Sequence, residues 1–317
     1  MADLGQLVAS YSPDVNHTGL IGKVAKQVLE REEVPFLFDR LSKGAVKYGK
    51  DIEVSLMRAA TGEQPTADSP DFEKKARDSF MFTTWTPRVY PIAVDYEDID
   101  DASVGEAEAQ KIAAQYVDSL YTGASKEKND NAVAAFVGAI ATLGTGTPHI
   151  IKVGDAAEIT NEATAQAYLA QVKTLAKKVR RGSPSVNPMG LSVPANAGGV
   201  IMIAPEKNIT GVDVYARLNA EQAEIYGRFD VDYIIEYDAD KYPTLNGATI
   251  IIDERYAQFY EKARQWGERR KIGADNGFTV EMALNTRDMF GLCRLFNAVM
   301  LGQADVEQES NVEQSNE

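Results

Sequence analysis

The sequence feature that most constrains the fold is a long helical pattern over residues 98–141. Its apolar side chains recur at Ile112, Tyr116 and Leu120, and this spacing places them along one face of an α-helix. At about 1.5 Å per residue, residues 103–121 alone would span roughly 28 Å, the width of a small domain. We therefore expect other parts of the chain to pack against this helix.

Sequence signals mark both the start of this helix and an interruption within it. Ser103 followed by Glu106 has the capping-box pattern, which satisfies free backbone N–H groups at a helix start. The elbow before the helix carries three aspartates, which would lie near the positive end of the helix dipole: Asp98, Asp100 and Asp101. Gly123 lies in a polar stretch before an apolar helical pattern resumes at residues 133–143, so we predict that the helix is broken near Gly123.

Composition limits the class of protein. The length of 317 residues suffices for one large or two ordinary domains, and a hydrophobic content of 44% suffices for a core. No apolar run approaches the ~20 residues of a membrane helix. The N-terminus lacks a signal-peptide pattern, so we expect the protein to remain where it is synthesised, in a cytoplasm. The net charge of −14 disfavours a sequence-specific nucleic-acid reader, although an acidic wall that encloses nucleic acid without binding it remains compatible.

No motif predicts catalysis, a cofactor or a metal site. The glycines of residues 144–147 lack the following lysine of a phosphate-binding loop. His17 and His149 belong to no metal-ligand spacing, and Cys293, the single cysteine, lies among leucines as a buried structural thiol does. We therefore expect no catalytic residue, no metal and no cofactor.

Residues 72–97 have the pattern of a long β-hairpin. One arm carries Phe80 and Phe82, and the return arm alternates apolar residues from Tyr90 onwards. Pro87 and Pro91 each remove a backbone donor, which favours an edge strand. Because a two-stranded ribbon with so many aromatic residues is marginal alone in water, it should lie on another surface, either that of its own domain or that of a neighbouring subunit.

A second helix is predicted between a cap at Thr160 or Asn161 and a stop at Gly182 and Pro184. Its last turns carry five cations: Lys173, Lys177, Lys178, Arg180 and Arg181. Cations complement the negative end of a helix dipole, so a purely structural role accounts for them. The alternative is contact with the acidic elbow of another copy of the chain, because that elbow contains no base.

The remainder of the chain alternates strand and helix patterns. Strands are predicted at residues 149–153, 200–204, 231–237 and 248–252, with a helix at 211–226 and a tight turn at Asn246-Gly247. Helical spacing over Tyr256, Phe259, Ala263 and Trp266 predicts a further helix. A strand follows at residues 278–284, residues 289–301 fit either helix or strand, and residues 303–317 have the composition of a solvated tail.

The order of these elements resembles that of the major capsid proteins of tailed bacteriophages with the Hong Kong 97-type fold, in particular the podophage type. The segments that carry the resemblance are Phe36–Tyr48 with Gly49-Lys-Asp-Ile-Glu53, Phe80–Tyr96, Ala102–Tyr121 and Gly247–Phe259. The resemblance implies an α+β fold with an N-terminal arm, an extended hairpin (the E-loop), a peripheral (P) domain with a spine helix, and an inserted α/β axial (A) domain. Some relatives carry an appended immunoglobulin-like domain. Because only a short tail follows residue 301 here, no such domain is expected.

The resemblance also implies a division of the chain into six segments. These are an arm with the first P-domain segment (1–62), the E-loop hairpin (63–98), the P domain with spine helix and connecting loop (99–199), the A domain (200–268), a P-domain return segment (269–302) and an acidic tail (303–317).

The implied function is that of a major capsid protein that assembles into hexamers and pentamers of an icosahedral phage shell around double-stranded DNA. The implied partners are other copies of the chain, a scaffolding protein, a portal, and DNA held without sequence-specific binding, with no membrane; assembly would occur in the host cytoplasm. The expected assembly contacts are Phe80, Phe82, Trp85, Arg88, Tyr90, Asp98, Asp100, Asp101, Lys177, Lys178, Arg180 and Arg181.

Two alternatives to a phage capsid remain open at this stage. A shell of the same fold could enclose an enzyme, as encapsulin-type compartments do. The second alternative is a soluble small-molecule enzyme built on residues 200–266. The sequence supplies no recognisable set of convergent polar groups for such an active site.

Overall fold

The computed structural model describes ten stretches of the chain: residues 35–46, 51–57, 77–95, 106–141, 149–156, 158–195, 199–216, 228–262, 265–272 and 278–303. They divide between two compact units. The first unit takes its described residues from 1–52, 82–132 and 259–290, and the second takes them from 53–81, 133–258 and 291–317.

Within these stretches the chain forms strands and helices in the following order. The strands are β1 (Ser42–Ala45), β2 (Ile52–Met57), β3 (Arg77–Phe82), β4 (Thr86–Asp95), β5 (Ile151–Ala156), β6 (Val200–Pro205), β7 (Tyr233–Tyr237), β8 (Thr249–Asp253), β9 (Ala257–Glu261), β10 (Gln265–Ile272), β11 (Phe278–Leu292) and β12 (Ala298–Gln303). The helices are α1 (Glu106–Ala141), α2 (Glu162–Arg180) and α3 (Glu206–Tyr215). No helix in the described stretches is both long enough and apolar enough to cross a membrane.

Helix α1 is continuous over 36 residues, so the predicted break near Gly123 is wrong. The buried positions keep helical spacing straight through the polar stretch, from Leu120 through Ala124 to Lys128. Gly123 lies on the exposed side, where an added Cβ would meet no atom of another element within 4 Å, and a single glycine costs a helix only about 1 kcal/mol. The predicted cap at Ser103 lies outside the described residues.

The first unit contains a five-stranded sheet centred on β11. Strands β10 and β4 flank β11 in antiparallel register, and β9 joins β11 to the parallel strand β1. Among the described strands β4 pairs with β11 alone, so Pro87 and Pro91 lie on an edge strand, as predicted.

Two predictions about this part of the chain are wrong. The two arms of the predicted hairpin do not pair with each other, because β3 pairs with β2 whereas β4 pairs with β11. The predicted helix over Tyr256–Trp266 is instead β9 and the start of β10. Short apolar segments fit helical spacing by chance, and sheet neighbours then decide which backbone conformation has its hydrogen bonds satisfied.

Polar side chains of α1 attach it to the N-terminal part of the first unit. The Asn129 side chain accepts a hydrogen bond from the Leu37 backbone N–H (2.8 Å), and Ser125 Oγ donates to the Pro35 carbonyl oxygen (2.5 Å). The buried ammonium of Lys128 lies 3.3 Å from Glu261 Oε2 and over the ring of Phe259, 4.4 Å from its centroid. A buried charge must be paired, so these contacts fix the position of the helix relative to β9.

The second unit is built on a mixed sheet in the order β5-β12-β8-β6-β7. Helix α2 packs on it through the predicted apolar positions: Tyr168, Val172, Leu175 and Val179. The predicted cap is confirmed at Asn161, whose Oδ1 accepts from the Thr164 backbone N–H at 3.0 Å. The predicted strands at 149–153, 200–204, 231–237 and 248–252 correspond to β5, β6, β7 and β8.

Two sequence predictions can be compared with the structure of the second unit. The predicted helix at residues 211–226 overlaps α3, which begins earlier, at Glu206, and the rest of the predicted helix, residues 217–226, lies outside the described stretches. The ambiguous residues 289–301 form the end of β11, a turn and β12. The buried Asn297 in that turn donates to the Val179 carbonyl oxygen at 3.3 Å, which joins the turn to the end of α2.

The end of α2 requires glycine at residue 182. Gly182 has φ = +68°, its N–H donates to Val179, and the Ser183 N–H donates to Lys178, which is the Schellman pattern. Val193 N–H donates to the Gly182 carbonyl oxygen, and a methyl group at Gly182 would overlap the Val193 carbonyl.

We expect Gly182→Ala to lower the free energy of unfolding of the unassembled chain by about 3 kcal/mol or more, because left-handed strain and a backbone clash add. Gly190→Ala is the matched control: its φ is +67° but no atom lies within 4 Å of the added methyl group, so only strain of about 1 kcal/mol is expected. Urea denaturation measures both. Equal losses in the two variants would contradict this account of Gly182.

Candidate assembly surface

Strand β4 presents one face to the first unit and the other to solvent. Tyr90 and Ile92 are buried, whereas Val89, Pro91 and Ala93 between them are exposed, as the two-residue period of a strand requires. Val89 is 61% exposed, although Tyr90 and Ile92 on the other face of the strand are core residues. The outer face of β4 is therefore an apolar surface with no cover from the described part of the chain.

A polar cluster joins the inner face of β4 to α1. The Tyr90 hydroxyl donates to Glu127 Oε2 at 3.4 Å, and the Arg88 guanidinium lies 3.5 Å from the same oxygen. Arg88 also donates to Asn131 Oδ1 at 3.3 Å. Burial, with added repulsion from Glu127 and Asp288, raises the pKa of Tyr90 to about 12. Arg88 and Tyr90 therefore serve the packing of β4 on α1 within one chain.

Strand β3 shows a similar alternation. Phe82 is buried, with its ring 6.5 Å from that of Tyr260, and Phe80 is half-buried. Met81 between them is 53% exposed. At the opposite end of the strand, Arg77 pairs with Glu53 of β2 across the two-stranded sheet, at 3.4 Å. Met81 therefore offers an apolar side chain at a position where β3 needs none for its own packing.

Trp85 lies between β3 and β4 and is half-buried. The Lys262 ammonium lies over its ring, 4.3 Å from the centroid. A cation on a tryptophan face contributes about 0.5–1 kcal/mol at a surface site, so this contact holds the ring in place without burying it. Trp85 is thus engaged within its own chain while part of its surface stays exposed.

The basic end of α2 contains both internally paired and exposed cations. Arg180 pairs with Asp232 at 3.1 Å and donates to the Asp230 carbonyl oxygen. Lys177, Lys178 and Arg181 are exposed. In the described part of the chain no carboxylate pairs with these three side chains. We call these three residues the basic end of α2.

The predicted site residues thus lie in separate places. Phe80, Phe82, Trp85, Arg88 and Tyr90 lie on β3, β4 and the segment between them, and the cations lie at the end of α2. The three aspartates of the elbow, Asp98, Asp100 and Asp101, lie outside the described residues. Met81 and Val89 were missed, although the alternation of Phe80 with Phe82 and of Tyr90 with Ile92 indicates which residues face outwards.

The described residues offer little for catalysis. They contain no group of three or more His, Cys, Asp or Glu side chains arranged to hold a metal ion. Burial raises the pKa of Cys293 to about 11, so this thiol remains protonated and unreactive at neutral pH.

The Tyr90 cluster predicts a pH dependence. A tyrosine whose pKa is raised in the folded state stabilises the fold below its ordinary pKa of about 10, and this contribution is lost as the pH rises through about 12. The free energy of unfolding of the parent should fall as the pH is raised from about 8 to about 11. In Tyr90→Phe this fall should be smaller by up to about 1 kcal/mol, after allowance for solvent screening. Urea denaturation at the two pH values measures the difference.

Glu127→Gln should reduce the same loss in part, because burial continues to raise the pKa of Tyr90 after the carboxylate is removed. Asp130→Asn removes an exposed carboxylate of the same helix and should leave the pH dependence unchanged. Identical pH profiles for the parent and Tyr90→Phe would show that the cluster does not perturb this tyrosine.

Solved structures with the same fold come from phage heads. The capsid of Staphylococcus phage Andhra matches with a TM-score of 0.61 and 10% identity, over 92% of this chain and 88% of that chain. The head of Helicobacter pylori bacteriophage KHP40 matches with a TM-score of 0.52 and 11% identity, over 85% and 90%. The capsid of cyanophage P-SCSP1u matches with a TM-score of 0.51 and 12% identity, over 86% and 89%. These likenesses confirm the predicted α+β, Hong Kong 97-like capsid fold.

Comparison of the sequence with known proteins gives a more direct result. No curated protein matches the chain. The family model described as Phi29-like phage major capsid protein, in contrast, matches residues 1–301. The chain therefore belongs to the Phi29-like phage major capsid protein family, whose members form the shell of the phage head.

Proposed function

We propose that this capsid protein assembles into hexamers and pentamers, and that these build an icosahedral shell around double-stranded DNA. The observation that carries the proposal is the family match over residues 1–301. The surface needed for assembly is supported separately by two strands, β3 and β4, whose outward residues Met81 and Val89 are apolar and exposed. In a shell these side chains would be buried against neighbouring subunits.

The contact residues expected from the sequence then take two kinds of role. Phe80 and Trp85 are half-buried, so they would complete their burial on a neighbour alongside Met81 and Val89. Phe82, Tyr90 and Arg88 are engaged within the chain and would hold β3 and β4 in the conformation that presents the outer face. The acidic elbow at Asp98, Asp100 and Asp101 and the exposed cations Lys177, Lys178 and Arg181 would form charged contacts between copies, whereas Arg180 is engaged by Asp232 within the chain.

The charge of the protein suits a container for nucleic acid. A net charge of −14 repels the phosphate backbone, so DNA would be enclosed without being held in one register. We propose a structural, non-enzymatic role in the virion, with assembly in the host cytoplasm and with a scaffolding protein and a portal as partners. We retain the proposed segments: the arm (1–62), the P domain (99–199 and 269–302), the A domain (200–268) and the tail (303–317). Segment 63–98 is retained as the E-loop segment, but its described strands β3 and β4 pair with β2 and β11 and not with each other.

Assembly can be separated from folding by charging the outer face of the strands. Met81→Asp with Val89→Asp should abolish shells, because each copy would bury carboxylates that cost several kcal/mol to desolvate. The free energy of unfolding of the unassembled chain should change by less than about 0.5 kcal/mol, because both side chains are exposed in the single chain. Sedimentation and electron microscopy measure the shells, and urea denaturation measures the fold.

Val153→Asp is the matched control, since Val153 is 47% exposed on β5 and belongs to neither strand. Normal shells from the Met81→Asp/Val89→Asp protein would exclude this surface from assembly. A parent protein that forms no particles but binds a small molecule would favour the soluble enzyme, and particles that contain an enzyme would favour an encapsulin-type compartment.

A further inference from the structure

The second unit contains an open groove next to α3. It encloses about 540 Å³, and Ile159, Thr210, Val214 and Tyr215 supply its apolar and neutral lining. Val214 and Tyr215 are 68% and 41% exposed, so the described part of the chain leaves two large apolar side chains partly uncovered on one side of α3. A groove of this kind favours an occupant that can bury apolar surface.

The charge of the groove is acidic. Three carboxylates line it, from Glu206, Asp238 and Asp240, against one ammonium, from Lys207. Asp238 caps the following turn by accepting from the Asp240 backbone N–H at 2.8 Å, and Glu206 lies in the first turn of α3, where a helix favours an acid. These local roles do not neutralise the carboxylates, because both side chains are exposed.

A carboxyl group on the neighbouring strand β7 also experiences this excess of negative charge. The pKa of Glu236, on β7, is raised by desolvation and further by repulsion from Glu206 and Asp213. Asp213 is itself paired with Arg228. Glu206 therefore still acts on its surroundings as an uncompensated charge, and a cationic occupant would relieve this repulsion.

The basic end of α2 has the complementary properties. Its residues share one side of the end of the helix, because Lys178 and Arg181 follow Lys177 by one and four positions. The dipole of α2 accounts for a preference for cations there, but not for three that project into solvent without a partner in the described part of the chain. Their long aliphatic stems can also cover apolar surface while the charged groups reach carboxylates.

The fold keeps these two surfaces apart within one chain. Ile159, in the groove, precedes the first turn of α2, whereas the basic end is its last turn, so the 19 residues of α2 separate them by roughly 28 Å. Strand β7 gives the same arrangement: Asp232, which pairs with Arg180, lies just before it, and Asp238 lies just after it. One copy therefore cannot place its own basic end in its own groove.

We propose that the groove lined by Glu206, Asp238, Asp240, Val214 and Tyr215 binds the basic end of α2 of a second copy of the chain. Two different patches at opposite ends of one unit make a head-to-tail contact, and such contacts generate closed rings when the rotation between subunits closes. The inference deepens the proposed function, on which it rests, by naming a charged contact between neighbours within a ring. Phosphate backbones are excluded as the occupant because the groove is acidic.

A charge-exchange experiment on the full-length chain tests this contact. Lys177→Glu with Arg181→Glu, and separately Glu206→Lys with Asp240→Lys, should each reduce shell yield and self-association about tenfold or more, since like charges would then face each other. The chain with all four substitutions should recover both. Asp238 is left unchanged because it caps a turn. Electron microscopy measures shells, sedimentation velocity at low and high salt measures self-association, and circular dichroism confirms that each variant is folded.

The control has the same net charge as the rescued protein. Lys177→Glu and Arg181→Glu are combined with Asp100→Lys and Asp101→Lys in the acidic elbow, so both four-residue variants keep the net charge of −14. Rescue by the groove exchange and not by the elbow exchange supports the inference. Equal rescue by both, rescue by the elbow alone, or rescue by neither overturns it.

Two further outcomes are equally decisive. Normal assembly of the Lys177→Glu/Arg181→Glu protein overturns the inference, and if the groove variant alone fails, the occupant is another protein. The parent protein separates this inference from the proposed function: shells from the parent without rescue overturn the contact alone, whereas a parent that forms no shells in the phage-producing host overturns the proposed function.

Discussion

The buried ammonium of Lys128 is the constraint on which the first unit depends. A charge that is 8% exposed must be compensated, and here Glu261 and the rings of Phe36 and Phe259 compensate it. These partners come from two distant parts of the chain, Phe36 near its start and Phe259 and Glu261 on β9, and each can reach Lys128 only if α1 lies in one position along β9. Asn129 accepts from the Leu37 backbone N–H in the same turn, so a slide of the helix by one turn would leave this N–H and the Lys128 ammonium without their partners.

In the second unit, buried neutral amides fix the position of the elements. Asn187 accepts from the Met189 and Leu191 backbone N–H groups and donates to the Leu295 carbonyl oxygen, while Asn297 binds the last turns of α2. Each amide satisfies backbone groups of segments that are more than 100 residues apart. Fully paired amides carry no desolvated charge, so this arrangement fixes the loop after α2 at less cost than an ion pair would.

How much could be read from the sequence depended on whether the determining contacts were local. Helix α2 was predictable because Asn161 and Gly182 are caps that act within one turn of the backbone. The pairing of β3 with β2, and the strand at Ala257–Glu261, depend on partners far away in the chain, and spacing alone could not choose them. The same holds for α1 at Gly123, where burial of Ala124 and Lys128 decides that the helix continues. For the assembly surface, the aromatic residues marked the correct strands but not the correct face, since Phe82 and Tyr90 point inwards.

The aromatic residues of β3 and β4 face inwards because a shell protein must fold before it assembles. Large aromatic side chains contribute most when buried in the chain itself, so β3 and β4 use Phe82 and Tyr90 to fold, and leave smaller Met81 and Val89 outside, where they cost little solubility. A chain with a net charge of −14 also repels its own copies at long range. Association then requires local attraction strong enough to overcome this repulsion, which favours pairing of exposed cations with carboxylates over apolar contact alone. Such attraction is screened by salt within about 10 Å at 0.1 M ionic strength, so the apolar strand faces must hold the shell together once the charged contacts have aligned its subunits.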